Sequence, residues 1–216
     1  MPLPLIDPAT MMHFYDRLRE VDRYKNTLAE GLRVVLGGWA DVQTEWDAIL
    51  PEERAYFPYR KPHARRMYSP AVDIAVGPFA VRRQYISEYD ELLAVNRPFI
   101  ESLADEHQRN VGAFGSDFHG PDFQALQYGN LNARCFVAVE IEKGNAAAKY
   151  LIGSALNAAA LGRVGIVVCW SEDRLHTLLR IREYLCLLMA LEKNAFSPRN
   201  LLVLTRGQMD AVVASS

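Results

Sequence analysis

Apolar residues recur at helical spacing from residue 9 to 36, interrupted at Gly31 and at Gly37-Gly38, and predict a long helix. Residues 39–49 predict a further short helix before Pro51. The pattern then changes. YFPYRKPHARRMYSP (56–70) is crowded with proline, aromatic and basic residues, as expected of loop and extended chain. AVDIAV (71–76) predicts a short strand ended by Gly77-Pro78, and the loosely alternating FAVRRQYI (79–86) its hairpin partner. Residues 88–110 return to helical spacing. The stretch 111–130 holds four glycines and a proline and predicts mostly loop.

The C-terminal third is more regular. It predicts a strand at about 133–142, a helix at 146–161, a strand at 165–170 (GIVVCW), a helix at 172–193 and a strand at 200–205 (NLLVLT). Strand and helix in alternation are the mark of crossover units, hence of a partly parallel sheet covered by helices. The expected class is therefore α/β. The apolar residues of the 172–193 helix (Leu175, Leu178, Leu179, Ile181, Leu185, Leu188) belong to the core, and the Leu- and Met-rich excess there also suits a homodimer face.

Composition narrows the picture. The 216 residues suit one domain, half of them hydrophobic and 23% charged, enough for a substantial core. A net charge of −2 excludes a polycation, so any nucleic-acid contact must come from a local basic patch. The three cysteines (Cys135, Cys169, Cys186) form no CxxC pair and read as buried thiols in a reducing compartment. The start, MPLPLIDPATMMHF, lacks signal-peptide character, and no apolar run reaches the roughly 18 residues of a membrane span. The expected location is cytoplasmic, with no membrane partner.

The candidate chemistry begins in FVAVEIEKGNAAAKY (136–150), an apolar strand that turns acidic at Glu140 and Glu142. Residues two apart in a strand share a face, about 6.6–6.8 Å apart along the chain, with Lys143 on the other face. Two carboxylates side by side call for a positive partner, and a hard divalent cation is a natural one. A third acid would have to come from a neighbouring strand. Asp73 is the only charged residue between Arg66 and Arg82 and sits in an apolar strand. On the helix after Gly144, positions 149, 152, 153, 156 and 160 form one face, which places Lys149 at the start of the surface expected to pack on the sheet.

Asp73, then Glu140-Ile141-Glu142, with a lysine nearby, resembles the PD-(D/E)xK nuclease superfamily, the restriction-endonuclease-like fold. The resemblance covers roughly residues 66–170 and is most family-like in VEIEKGN and SALNAAALGRVGIVV. It implies a mixed central sheet flanked by helices, with an acidic pair that chelates magnesium and a lysine that orients the attacking water or stabilises charge. On this reading 1–216 is a single domain. Residues 1–65 are an N-terminal helical extension, and 66–216 a nuclease-like core with a helical insertion at about 88–130. The implied catalytic residues are Asp73, Glu140, Glu142 and Lys149, and the implied metal ligands Asp73, Glu140 and Glu142, with magnesium or manganese bound.

The chain departs from the family pattern in two places. Glu142 stands where the strict motif has lysine; superfamily members carry glutamate there or move the lysine to the following helix, which nominates Lys149. The gap from Asp73 to Glu140 is 67 residues, long enough to need an insertion. The literal Pro121-Asp122 lies 18 residues before Glu140 and makes Asp122 the alternative first acid, although it sits in a glycine-rich stretch without strand character. Asp117, His119 and Asp122 form an array that could hold a transition metal or only local turns.

Arg60, Lys61, Arg65 and Arg66, interleaved with His63 and flanked by aromatics, suit a phosphate backbone; Arg82 and Arg83 could extend the patch. The expected function is metal-dependent phosphodiester hydrolysis on DNA, with RNA as the alternative substrate. A catalytically inactive relative that binds nucleic acid or a protein is the second expectation. An unrelated α/β protein with a solvated acidic strand is the third. No phosphate-binding glycine loop or GxSxG elbow is present.

Overall fold

The computed structural model describes residues 8–38, 40–49, 70–80, 84–144, 147–193 and 197–216, with side chains from Arg19 onward. The basic segment with Arg60, Lys61, Arg65 and Arg66, and also Arg82 and Arg83, lies outside the described residues.

Among the described residues, five strands form one mixed sheet in sequence order. β1 (Val42–Asp47) pairs antiparallel with β2 (Ala71–Val76), and β2 antiparallel with β3 (Cys135–Glu142). β3, β4 (Gly162–Cys169) and β5 (Leu201–Thr205) run parallel. The helices are α1 (Pro8–Val35), α2 (Ile86–Val95), α3 (Arg97–Phe114), α4 (Phe123–Gly129), α5 (Ala148–Leu161), α6 (Glu172–Ala190) and α7 (Arg206–Ser215). The α/β class expected from the alternation is present. Crossovers α5 and α6 join the parallel strands, as parallel pairing requires.

Alternation along the strands divides the core. Ile74, Val76, Val137, Val139, Ile141, Val164, Ile166, Val168, Leu202 and Leu204 pack with buried residues of α1, α2, α3 and α7. Val167, Cys169, Leu201 and Val203 pack beneath α5 and α6. Gly165 lets α5 ride directly on the sheet: a Cβ there would lie 2.6 Å from the Ala158 carbonyl.

Several expectations change. Residues 39–49 contain β1, not a short helix, so part of the expected N-terminal extension is a strand of the sheet itself. AVDIAV pairs antiparallel with β1 upstream and β3 downstream; of its expected hairpin partner 79–86, Phe79 and Ala80 have no strand structure, Ile86 opens α2, and residues 81–83 lie outside the described residues. The 88–110 helix is two helices, α2 and α3, because Pro98 has no N–H with which to continue the first. Within 111–130, α3 runs on to Phe114 and stops at Gly115 (φ 74°), and α4 follows. These helices occupy the expected insertion. β4 begins at Gly162, three residues early, and α7 has no counterpart in the expected elements.

On α6, Leu175, Leu178, Leu179, Ile181 and Leu185 are buried and Leu188 is half-buried, whereas Tyr184 and Leu187 of the outer side, and Leu191 just past its end, are exposed. The three cysteines are free and buried. No described helix is long and apolar enough to cross a membrane.

Candidate functional site

Asp73 and Glu140 meet at the place where β2 and β3 stop pairing. Ile74 lies opposite Val139, so the next step of the antiparallel register sets Asp73 beside Glu140. There the Asp73 side chain takes over from the ladder: its Oδ2 accepts the Ile141 backbone N–H at 2.7 Å. Glu45 of β1 falls in the same row, between the pairs Thr44–Ile74 and Trp46–Val72. Glu45 has a left-handed backbone, φ 52°, unusual for a residue with a Cβ. Both strands change face at this row. Val42 and Ile74 join the core under α1, whereas Trp46 and Val72 pack with Ala138 and Leu161. The switch has the effect of a β-bulge, re-aiming the intervening side chains.

A lysine comes down onto this row from α1. Lys25 is only 6% exposed, and its ammonium lies 2.8 Å from Asp73 Oδ1 and also pairs with Glu45. Burial works against the Lys25 charge, but the hydrogen bonds and charges of Asp73 and Glu45 outweigh it and raise its pKa. This residue is missing from the sequence expectations, yet a signal for it exists. Tyr24, Leu28, Ala29 and Leu32 are the buried side of α1, and position 25 lies three and four residues before Leu28 and Ala29. A lysine on the apolar side of a helix is the anomaly that could have found it.

The other two acids are covered by α5. Glu140 is 8% exposed and accepts a 3.4 Å hydrogen bond from Asn157. Burial, reinforced by the Asp73 charge, pushes the Glu140 carboxyl up to about 9; the Asn157 hydrogen bond and Lys25 oppose this. Glu142 is half-buried and accepts a hydrogen bond from the Ser154 hydroxyl. Its pKa is also raised, by burial and by Asp73, against Ser154 and the Arg174 charge. Ser154 and Asn157 are three apart on α5 and so share a side of the helix; neither was expected at the site.

Lys149 departs from its expected place. α5 buries Leu151, Ala155, Ala158 and Ala159, leaves Ile152, Gly153 and Leu156 half-buried, and exposes Ala160, so the helix is rotated from the expected face. Lys149 is exposed, with its ammonium 5.0 Å from the centroid of the Tyr150 ring. Lys143 is on the opposite side from the acids, as the strand period requires. It stacks over Trp170 at 4.5 Å and pairs with Glu20. Asp122 is exposed and caps α4, its Oδ1 accepting the Ala125 N–H at 2.7 Å.

The described residues contain no assembled group of three or more His, Cys, Asp or Glu around a metal position. The donor set is nevertheless all hard oxygen, the type magnesium takes. Glu140 is a buried carboxyl with a long hydrogen bond and a like charge beside it, an arrangement a divalent cation would relieve. By donor chemistry the residues fit the ion.

No protein-family model, no curated protein and no solved structure matches the chain.

Proposed function

We propose that the chain is a magnesium- or manganese-dependent phosphodiesterase acting on DNA, built on the restriction-endonuclease-like fold. The observation that carries this reading is the meeting of Asp73 and Glu140 on adjacent antiparallel strands, with Glu142 two residues further along. The order of elements supports it as well: an acidic strand, a crossover helix, then a parallel strand.

Asp73, Glu140 and Glu142 would hold the ion, which when bound polarises the phosphate and lowers the pKa of a bound water. The protein's own groups prepare the ligands. The Ile141 amide fixes one oxygen of Asp73, Asn157 orients Glu140, and Ser154 orients Glu142. Glu140, whose carboxyl burial pushes up to about 9, would have to release its proton to serve as a ligand, which would make affinity rise with pH. Lys25 replaces Lys149 as the site's cation: buried and charged, it adds positive potential where negative charge develops. Arg60, Lys61, Arg65 and Arg66 precede β2 in the chain and would grip the phosphate backbone.

One observation favours a second reading, a nuclease-fold protein that binds DNA, RNA or a protein without cutting: Lys25 already neutralises Asp73. The deciding experiment is cleavage of plasmid, linear and single-stranded DNA with magnesium or manganese, comparing wild type with Glu140→Ala. Cutting by the wild type that is lost in the variant supports the enzyme. A folded wild type that cuts nothing but still retards DNA supports the binding protein.

A further inference from the structure

The two oxygens of Asp73 are held differently. Oδ2 accepts from a backbone amide, the Ile141 N–H at 2.7 Å, a partner that carries no charge. Oδ1 is held by the Lys25 ammonium at 2.8 Å. Lys25 has a second carboxylate, Glu45, whose side chain is 66% exposed and belongs to the outermost strand of the sheet. An ammonium buried this deeply needs an acceptor at all times. Glu45 supplies one that does not depend on Asp73.

We propose that Lys25 and a divalent cation compete for Oδ1 of Asp73, and that Glu45 receives the ammonium when the cation wins. The proposal rests on the metal reading given above. Two like-charged groups cannot share one carboxylate oxygen without strong repulsion in a buried setting. Glu140, in the row of Asp73, and Glu142, two residues on, offer a divalent cation further carboxyl oxygens, which biases the contest toward the ion. Glu45 makes the exchange cheap. The Lys25–Glu45 pair therefore sets how tightly the acids hold a metal, and Glu45 does so without being a ligand.

Isothermal titration of manganese into the full chain at pH 8 tests this, with wild type, Lys25→Met and Glu45→Gln. Lys25→Met is expected to bind at least about tenfold tighter, because the competitor is gone. Glu45→Gln is expected to bind several-fold more weakly, because Asp73 becomes the remaining carboxylate for the ammonium. Equal or weaker binding by a folded Lys25→Met overturns the proposal, as does equal or tighter binding by Glu45→Gln. Should Lys25→Met fail to fold, the exposed Glu45 site carries the test. If none of the three proteins binds manganese, the metal reading fails and the proposal with it. If all bind equally, and Glu140→Gln binds less, the proposal fails alone.

Discussion

Replacing Glu140 with glutamine should stabilise the protein at alkaline pH and do little at pH 5. The carboxyl is 8% exposed and pushed up to about 9, by burial first and by Asp73 second. An unfolded glutamate titrates near 4.5. Between those values the folded chain holds a proton that the unfolded chain has released. Stability therefore falls as pH rises through this window, by up to about 1.4 kcal/mol per pH unit. From pH 5 to pH 8 the loss is at most about 4 kcal/mol. Glutamine keeps the shape, carries no charge and escapes the loss. For a chain of this size each kcal/mol moves the melting temperature by about 2–4 °C. The assay is a thermal melt of both proteins across pH 5–8 in chelator. The variant should gain several degrees over wild type by pH 8, with the gap closing toward pH 5. Both proteins carry the same other titrating groups, so the difference isolates Glu140. A gap that does not change with pH would mean that Glu140 is solvated and ionised like an ordinary glutamate, and the account of the site would fall.

Gly165→Ala should destabilise by about 1–3 kcal/mol, since the new methyl would sit 2.6 Å from the Ala158 carbonyl; urea denaturation reads it directly. His107→Leu should cost about 1–3 kcal/mol, because the Val203 N–H that donates to Nδ1 at 3.0 Å loses its acceptor inside the core. The same histidine has its pKa lowered to about 3, chiefly by burial and then by Arg182. Its unfolded counterpart binds a proton first, so wild type should lose stability as pH falls from about 6.5, and the leucine variant should lose less.

The parallel half of the sheet was legible because buried parallel strands are continuous apolar runs, and GIVVC and LLVLT have nothing else to be. β1 was not. Its two buried side chains, Val42 and Trp46, are four residues apart and mimic a helical stripe, because the kink at Glu45 breaks the strand period between them. The same kink hid the partner of β2, which lies upstream across a long connection. Asp73, Glu140 and Glu142 could be named from charges set in apolar strands. Their orienting groups could not, since Ser154 and Asn157 depend on how α5 is rotated over the sheet. The rotation that brought them in also carried Lys149 out. Lys25 was visible as a lysine on an apolar stripe, but only the fold brings α1 within reach of Asp73.

β5 is the outer strand on its side of the sheet, and side chains seal its edge. His107 accepts the Val203 N–H, Asn110 donates to the Val203 carbonyl at 3.0 Å, and Gln208 accepts the Thr205 N–H at 2.8 Å. An open edge invites another chain to add a strand, so these three residues act as a guard against sheet-to-sheet association. The guard is sensitive to acid, because a protonated Nδ1 can no longer accept from Val203. Because burial holds the His107 pKa down to about 3, acid acts on the edge and the fold together, and a chain that opens at low pH exposes β5 without its guard, as a template for intermolecular pairing.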